Sequence, residues 1–211
     1  MTTSDRDRVF YRWRQMDEPE REAVLAFRRQ HRRPWHNPPH YDSDSGLYLV
    51  NAACYDHRPI IGHRIERMSE FAGELLALCR AAEYTVFAWV VLPNHYHVLL
   101  RTTGDVKQLI GGFGRLHGAN SYRWNGEDER RGRKVWFNAM ETGIKSERHF
   151  WASLIYVLNN PVRHRYVKKW SEWPFSNAEE WLGSVGKDEA TRIWKEFPID
   201  DYGKDWDPPD L

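Results

Sequence analysis

Cysteine is nearly absent from this chain. Only Cys54 and Cys79 occur in 211 residues, and neither belongs to a CxxC pair. That leaves no disulfide framework and no thiolate metal cluster, and it fits a reduced, cytoplasmic protein. Long apolar runs are also missing. None approaches the roughly 20 residues that span a bilayer, so no membrane partner is expected. The opening MTTSDRDRVFYRWRQ is charged throughout and has no apolar stretch of a secretory leader. No internal repeat, low-complexity block or HExxH motif is found. The last of these absences removes the simplest zinc-hydrolase reading.

Charge is balanced overall, with 31 basic and 30 acidic residues, but it is not evenly spread. Positions 171–211 hold 4 basic and 11 acidic residues, a net −7. The remaining 27 basic and 19 acidic residues give the body a net +8. A basic body with an acidic tail points to a polyanion partner such as nucleic acid, with a tail able to screen the same surface. Solvated charge faces are the plainer account of the same numbers. Eleven tryptophans are many for this length. Core packing and tail docking account for most, while any exposed ones offer stacking faces for unpaired bases.

The pattern along the chain predicts three parts. Residues 1–45 read as an N-terminal extension, with a charged helix over Pro19–Arg33 and then the loop RRPWHNPPHYDSDSG. Residues 46–182 read as the main domain, and 183–211 as an acidic tail. Within the main domain, Tyr48–Tyr55 suits a strand, and Met68, Phe71, Leu75, Leu76 and Cys79 have helical spacing across Arg64–Ala82. Tyr84–Leu92 and His95–Arg101 suit two strands broken by Pro93-Asn94, a hairpin. Asp105 is a candidate cap for a helix to about Trp124, weakened by Gly111, Gly112 and Gly114. Val135–Ile144 reads as a fourth strand. Ser146 caps a helix that Pro161 is expected to stop. The resulting order β-α-β-β-α-β predicts an α+β, ferredoxin-like fold. Its antiparallel sheet would carry helices on one face, with one further C-terminal helix.

The chemistry concentrates in LPNHYHVLL. On a strand His95 and His97 share a face and Tyr96 points the other way, so the two imidazoles make half of a metal site. Hydrogen bonding at a sheet edge is the bland alternative. On the last helix Tyr156 and Asn160 are four apart and therefore one turn from each other. An amide oxygen suits Mg²⁺ or Mn²⁺ better than zinc. A tyrosine one turn from such a ligand suits covalent phosphoryl transfer. On spacing alone, core packing of Tyr156 and helix capping by Asn160 remain open. Tyr122 and Tyr166 are alternative nucleophiles, but Gly126 and Trp170 stand four residues on, and neither supplies an amide or carboxylate ligand.

Taken together, LPNHYHVLL and YVLNNPVRHRYVKKWSEWPFS resemble the single-tyrosine HUH transposases, specifically the REP-associated tyrosine transposase branch. YLVNAACYDHRPI resembles that branch's first strand, and the likeness spans roughly residues 46–182. The resemblance implies a divalent-metal endonuclease and strand transferase acting on single-stranded or hairpin DNA from palindromic repeats. It makes His95, His97 and Asn160 the ligands of Mg²⁺ or Mn²⁺. Tyr156 becomes the nucleophile that forms a 5′-phosphotyrosine link and leaves a free 3′-OH. A non-catalytic hairpin binder of the same fold is the alternative, and both monomer and homodimer remain open. Phosphate contacts are expected from Arg101, Arg115, Arg163, Arg165, Lys168 and Lys169. One departure stands beside the nucleophile helix: Arg163-His164-Arg165 lacks the glycine of the family's Lys/Arg-x-Gly turn.

Overall fold

The structure is a computed structural model that describes residues 45–199, Ser43 and Tyr202, with positions 17–20, 22, 23 and 26 of a separate N-terminal unit. The expected helix over Pro19–Arg33 and the loop after it lie largely outside the described residues. The helical positions at 18–20, 22, 23 and 26 are the part of that helix that is described.

The main unit is α+β, built on a four-stranded antiparallel sheet. Its strands are β1 (Leu47–Ala53), β2 (Thr85–Val91), β3 (His95–Arg101) and β4 (Met140–Gly143), arranged β2-β3-β1-β4. Helix α1 (Ile65–Ala81) links β1 to β2, and α2 (Val106–Glu127) links β3 to β4. β1 therefore lies between β3 and β4, and the two β-α-β units interleave. β4 is shorter than the expected Val135–Ile144. Trp136 bridges to Cys54, and pairing with β1 resumes only at Met140.

β3 is central, and its side chains alternate between two cores. Tyr96, Val98 and Leu100 join α1 and α2 in a core rich in aromatics, around Phe71, Phe113, Trp124 and Trp136. Leu99 faces the opposite side with Leu49, Ala88, Val90 and Leu92. There the cover is α3 (Glu147–Arg163), α4 (Ala178–Val185) and α5 (Lys187–Glu196). The two terminal helices take up positions whose composition reads as acidic tail. Trp181, Ala190 and Ile193 are buried there, and the rings of Trp170 and Trp194 stack at 4.9 Å. All eight described tryptophans are buried or half-buried. They are core residues rather than exposed stacking faces. With sheet on one side and helices on the other, α3 buries Leu154, Ile155, Tyr156, Val157 and Leu158 in succession.

Local chemistry sets the helix ends. Asp105 caps α2 by accepting from the Gln108 amide at 2.7 Å, and Ser146 caps α3 by accepting from His149 at 3.1 Å. Pro161 does not end α3 as expected. It lies within the helix, which runs on to Arg163, with the His164 amide donating to the Asn160 carbonyl at 3.0 Å. A proline this near the end forgoes one hydrogen bond while the last turn still closes. The turn then finishes as a Schellman motif. The Arg165 amide donates to the Val162 carbonyl and the Tyr166 amide to the Pro161 carbonyl, both at 2.9 Å. Arg165 has φ +60 at the position where glycine is preferred. The missing glycine of the sequence is thus replaced by a strained arginine.

The segment after α3 returns along the outer edge of β2. Val91 donates to the Phe175 carbonyl at 2.8 Å, and Trp89 donates to Asn177 Oδ1 at 2.9 Å. That pairing covers an edge that would otherwise present unpaired backbone. Both cysteines are free and buried, and burial pushes their thiols up to about 12 for Cys54 and about 11 for Cys79. Among the described residues no helix is long and apolar enough to cross a membrane.

One ion pair ties the two helices of the aromatic face together. Arg67, fully buried on α1, meets Asp128 at the end of α2 with contacts of 2.5 and 3.1 Å, and Glu127 at 2.9 Å. Arg133 adds a 2.7 Å contact to Asp128. The Arg67 guanidinium, with help from Arg133, holds the Asp128 carboxyl well below the usual carboxylate range. A depressed folded-state pKa stabilises above the unfolded value near 4, and that stability is lost only as pH falls through the lower folded value. Asp128→Ala leaves Arg67 buried beside one carboxylate and is expected to cost roughly 3–5 kcal/mol in urea unfolding at neutral pH. The deficit should shrink in strong acid, below pH 4. Arg165→Gly relieves the positive φ and is expected to stabilise by about 1 kcal/mol in the same measurement.

Candidate functional site

The hairpin between β2 and β3 turns through Leu92-Pro93-Asn94, and the loop after β1 wraps around it. Gly62 packs so closely that a Cβ there would lie 2.4 Å from Pro93 Cβ, and its amide donates to the Pro93 carbonyl at 2.8 Å. Asp56 and His57 adopt positive φ of 59 and 51, which brings the His57 carbonyl to the side chain of Asn94. The turn that presents His95 is therefore clamped by backbone from a different element.

His95 and His97 project from β3 on the side facing α3, and both are 2% exposed. Their rings meet edge to face at 5.1 Å. Tyr96 points the other way, and its hydroxyl lies 2.9 Å from His117 Nε2. Desolvation lowers His117 to about 4, which favours the uncharged ring, and the two side chains share a buried hydrogen bond within the aromatic core.

From α3, three residues spaced by four reach the same place. Tyr156 meets the His97 ring edge to face at 5.1 Å. Asn160 Oδ1 lies 3.0 Å from His95 Nε2, and the His164 ring is 4.9 Å from that of His95. The structure thus brings together His95, His97, Tyr156 and Asn160. The core-packing alternative holds for Tyr156, which is buried in the core beneath α3 and there meets the His97 ring. The capping alternative does not hold for Asn160, whose amide turns to His95 rather than to the helix end.

The hydrogen bonds around His95 fix its chemistry. Asn94 Nδ2 donates to the His57 carbonyl at 3.1 Å, which turns Asn94 Oδ1 to His95 Nδ1 at 2.7 Å. An amide oxygen only accepts, so Nδ1 carries a proton and donates to Asn94, leaving Nε2 for a second partner. That nitrogen faces Asn160 Oδ1, also an acceptor. Two acceptors so close call for a cation or a proton between them. Otherwise the amide must rotate half a turn and donate from Nδ2, which as placed is buried with no hydrogen-bond partner. Two ligands at right angles, each about 2.1 Å from an octahedral ion, lie about 3.0 Å apart, so the pair has the spacing such an ion requires. Among the described residues no group of three or more His, Cys, Asp and Glu side chains is placed to hold a metal ion. Any such set here has to count the Asn160 amide oxygen.

Tyr156 is 1% exposed. Beside His97, it is enclosed by Arg163, whose guanidinium lies 5.7 Å from its ring centre, and by the Tyr202 ring at 5.7 Å. Tyr202 is anchored to α3. Its hydroxyl contacts Ser153 Oγ at 2.5 Å and His149 Nε2 at 3.1 Å, and its carbonyl accepts from Arg163 at 3.4 Å. Burial pushes the Tyr202 phenol up to about 12, against the Ser153 hydrogen bond.

The expected phosphate contacts fall in different places. Arg163 borders Tyr156, while Arg165, Lys168 and Lys169 are exposed just past α3. Arg101 stands at the far end of β3, six residues from His95 and so about 20 Å away, with its guanidinium over Phe87. Arg115 is exposed on α2, on the other face of the sheet. Sequence reasoning passed over Asn94, His164 and Tyr202. The first two carry a local signal, being next to His95 and one turn beyond Asn160. Nothing in the sequence ties Tyr202 to Tyr156.

The fold and this site define an α+β domain in which a central strand and one covering helix share a cluster of two imidazoles, an amide and a phenol. No family model matches the chain, and no curated protein matches it. Among solved structures it is similar to one described as a REP-associated tyrosine transposase bound to a REP hairpin. The TM-score is 0.56 at 17% identity, over 72% of this chain and 89% of that one. The likeness is one of fold.

The tautomer assignment is directly testable. In protein treated with EDTA, long-range ¹H–¹⁵N spectra are expected to show His95 protonated on Nδ1, and Asn94→Leu should abolish that preference. A His95 ring protonated on Nε2 in the unsubstituted protein would contradict the assignment.

Proposed function

We propose that this chain is a metal-dependent strand transferase of the single-tyrosine HUH kind, acting on single-stranded hairpin or palindromic-repeat DNA. The observation that carries the reading is the convergence of β3 and α3, with His95 Nε2 and Asn160 Oδ1 at 3.0 Å and Tyr156 one helical turn away against His97. The transposase motifs in the sequence and the fold shared with a hairpin-bound transposase support it. DNA is the expected partner, and the +8 body supplies the matching charge.

His95, His97 and Asn160 would hold Mg²⁺ or Mn²⁺, which when bound polarises the phosphate oxygens. Tyr156 Oη attacks phosphorus and gives up its proton. The bond from phosphorus to the 3′-oxygen breaks, and that oxygen takes a proton to become a free 3′-OH. The phosphodiester energy stays in the 5′-phosphotyrosine ester, so attack by a 3′-OH reverses the step without hydrolysis. Arg163, beside the Tyr156 ring, would meet the phosphate's charge. A second reading, a hairpin binder without catalysis, is favoured by the enclosure of Tyr156. In the catalytic reading Tyr202 and Arg163 move aside as the strand enters.

Labelled hairpin DNA from the repeats flanking the chain's own gene separates the two. With Mg²⁺ or Mn²⁺ an SDS-resistant protein–DNA adduct is expected, falling to background in Tyr156→Phe and in EDTA. Asn160→Ala should raise the metal concentration for half-maximal adduct by at least about tenfold, since even outer-shell partners contribute that much. Cleavage that survives Tyr156→Phe would sink the covalent reading. Tight binding without an adduct under any metal would leave the binder.

A further inference from the structure

Most aromatic side chains of this protein are taken up in its two cores. Among the described residues the exposed large apolar side chains are Ile65, Tyr122, Met140 and Tyr166. Of the two aromatic ones, Tyr122 sits on α2, on the far side of the sheet from α3, with the Arg131 guanidinium 4.6 Å over its ring. Tyr166 stands by the candidate site. Its ring is 6.4 Å from that of His164, which in turn is 4.9 Å from that of His95.

Tyr166 is held firmly while 38% exposed. Its amide closes the Schellman turn on the Pro161 carbonyl. Trp173 packs behind its ring at 5.3 Å and is itself fixed by a 2.9 Å hydrogen bond from Nε1 to the Val91 carbonyl, at the end of the strand that leads into the site hairpin. Cations neighbour it in the chain. Arg165 and Lys168 are exposed and form no ion pair among the described residues, whereas Lys169 lies 3.7 Å from Glu172. Arg165 occupies φ +60, where glycine would sit without strain but would carry no charge. Glu83 and Glu129 hold the same left-handed φ just past α1 and α2, so the conformation is that of a helix end, and what Arg165 adds is its charge.

We propose that Tyr166 is a stacking platform for one unpaired base of the strand bound at the Tyr156 site, with Arg165 and Lys168 taking the neighbouring phosphates. The proposal rests on the reading that this site takes single-stranded DNA. A π-face held rigid from behind and flanked by cations is what sequence-tolerant single-strand binding uses. Tyr166 thereby has a part distinct from that of the tyrosine nucleophile.

Fluorescence anisotropy with a hairpin bearing a single-stranded flank tests it. Tyr166→Ala should weaken binding about tenfold or more, within the range that stacking one base provides. Tyr166→Phe and Tyr166→Trp should bind as the unsubstituted protein does, and Tyr166→Ala should remain folded at the assay temperature by thermal unfolding. Moving one abasic site along the flank should find a position that weakens binding to the unsubstituted protein and has no further effect on Tyr166→Ala. Equal binding by Tyr166→Ala, or an abasic penalty that is the same in both proteins, would overturn the platform and leave the strand-transferase reading intact. No binding of the hairpin by the unsubstituted protein would overturn both.

Discussion

β3 is covered on both faces, so its register cannot slip. A shift of one residue would turn His95 and His97 into the aromatic core of α1 and α2 and move Tyr96 out of it to the face covered by α3. Pairing to β1 and β2 on either side fixes that register. Ala53 lies opposite His95, and Asn51 and Val90 lie opposite His97. The positions from which His95 and His97 enter the candidate site follow from this constraint.

Burying two imidazoles and an amide is costly unless each polar atom is met. The chain meets that cost at His95 Nδ1 with backbone from elsewhere, the His57 carbonyl acting through Asn94, while Asn160 Oδ1 faces Nε2 from α3. The positive φ values at Asp56 and His57 form part of the same arrangement, since they deliver the carbonyl that orients Asn94. Two of the segments with positive φ, Asp56-His57 and Arg165, flank the cluster, while Glu83 and Glu129 hold the same conformation just past α1 and α2.

Much of this was legible in the sequence because it depends on short-range periodicity. His95–Arg101 follows from two-residue alternation, and Asp105 and Ser146 are caps with recognisable side chains. Pro161 misled because the rule against proline in helices weakens near a C-terminus, where a single hydrogen bond is forgone. The terminal helices were hidden by net charge. Their acidic residues face solvent, and composition says nothing about Trp181, Ala190 and Ile193 on the inner side.

By itself the sequence determined which residue types could do chemistry and which of them share a strand face or a helix face, because the periods of two and 3.6 are properties of the backbone. It also fixed the α+β order and the basic body. Only the tertiary structure decided that the two faces meet, with Asn160 Oδ1 at 3.0 Å from His95 Nε2, that Tyr202 closes over Tyr156, and that Tyr166 stays outside on a tryptophan floor. These contacts join residues far apart in the chain. No local rule encodes them, because their distances are set by how the helices pack on the sheet.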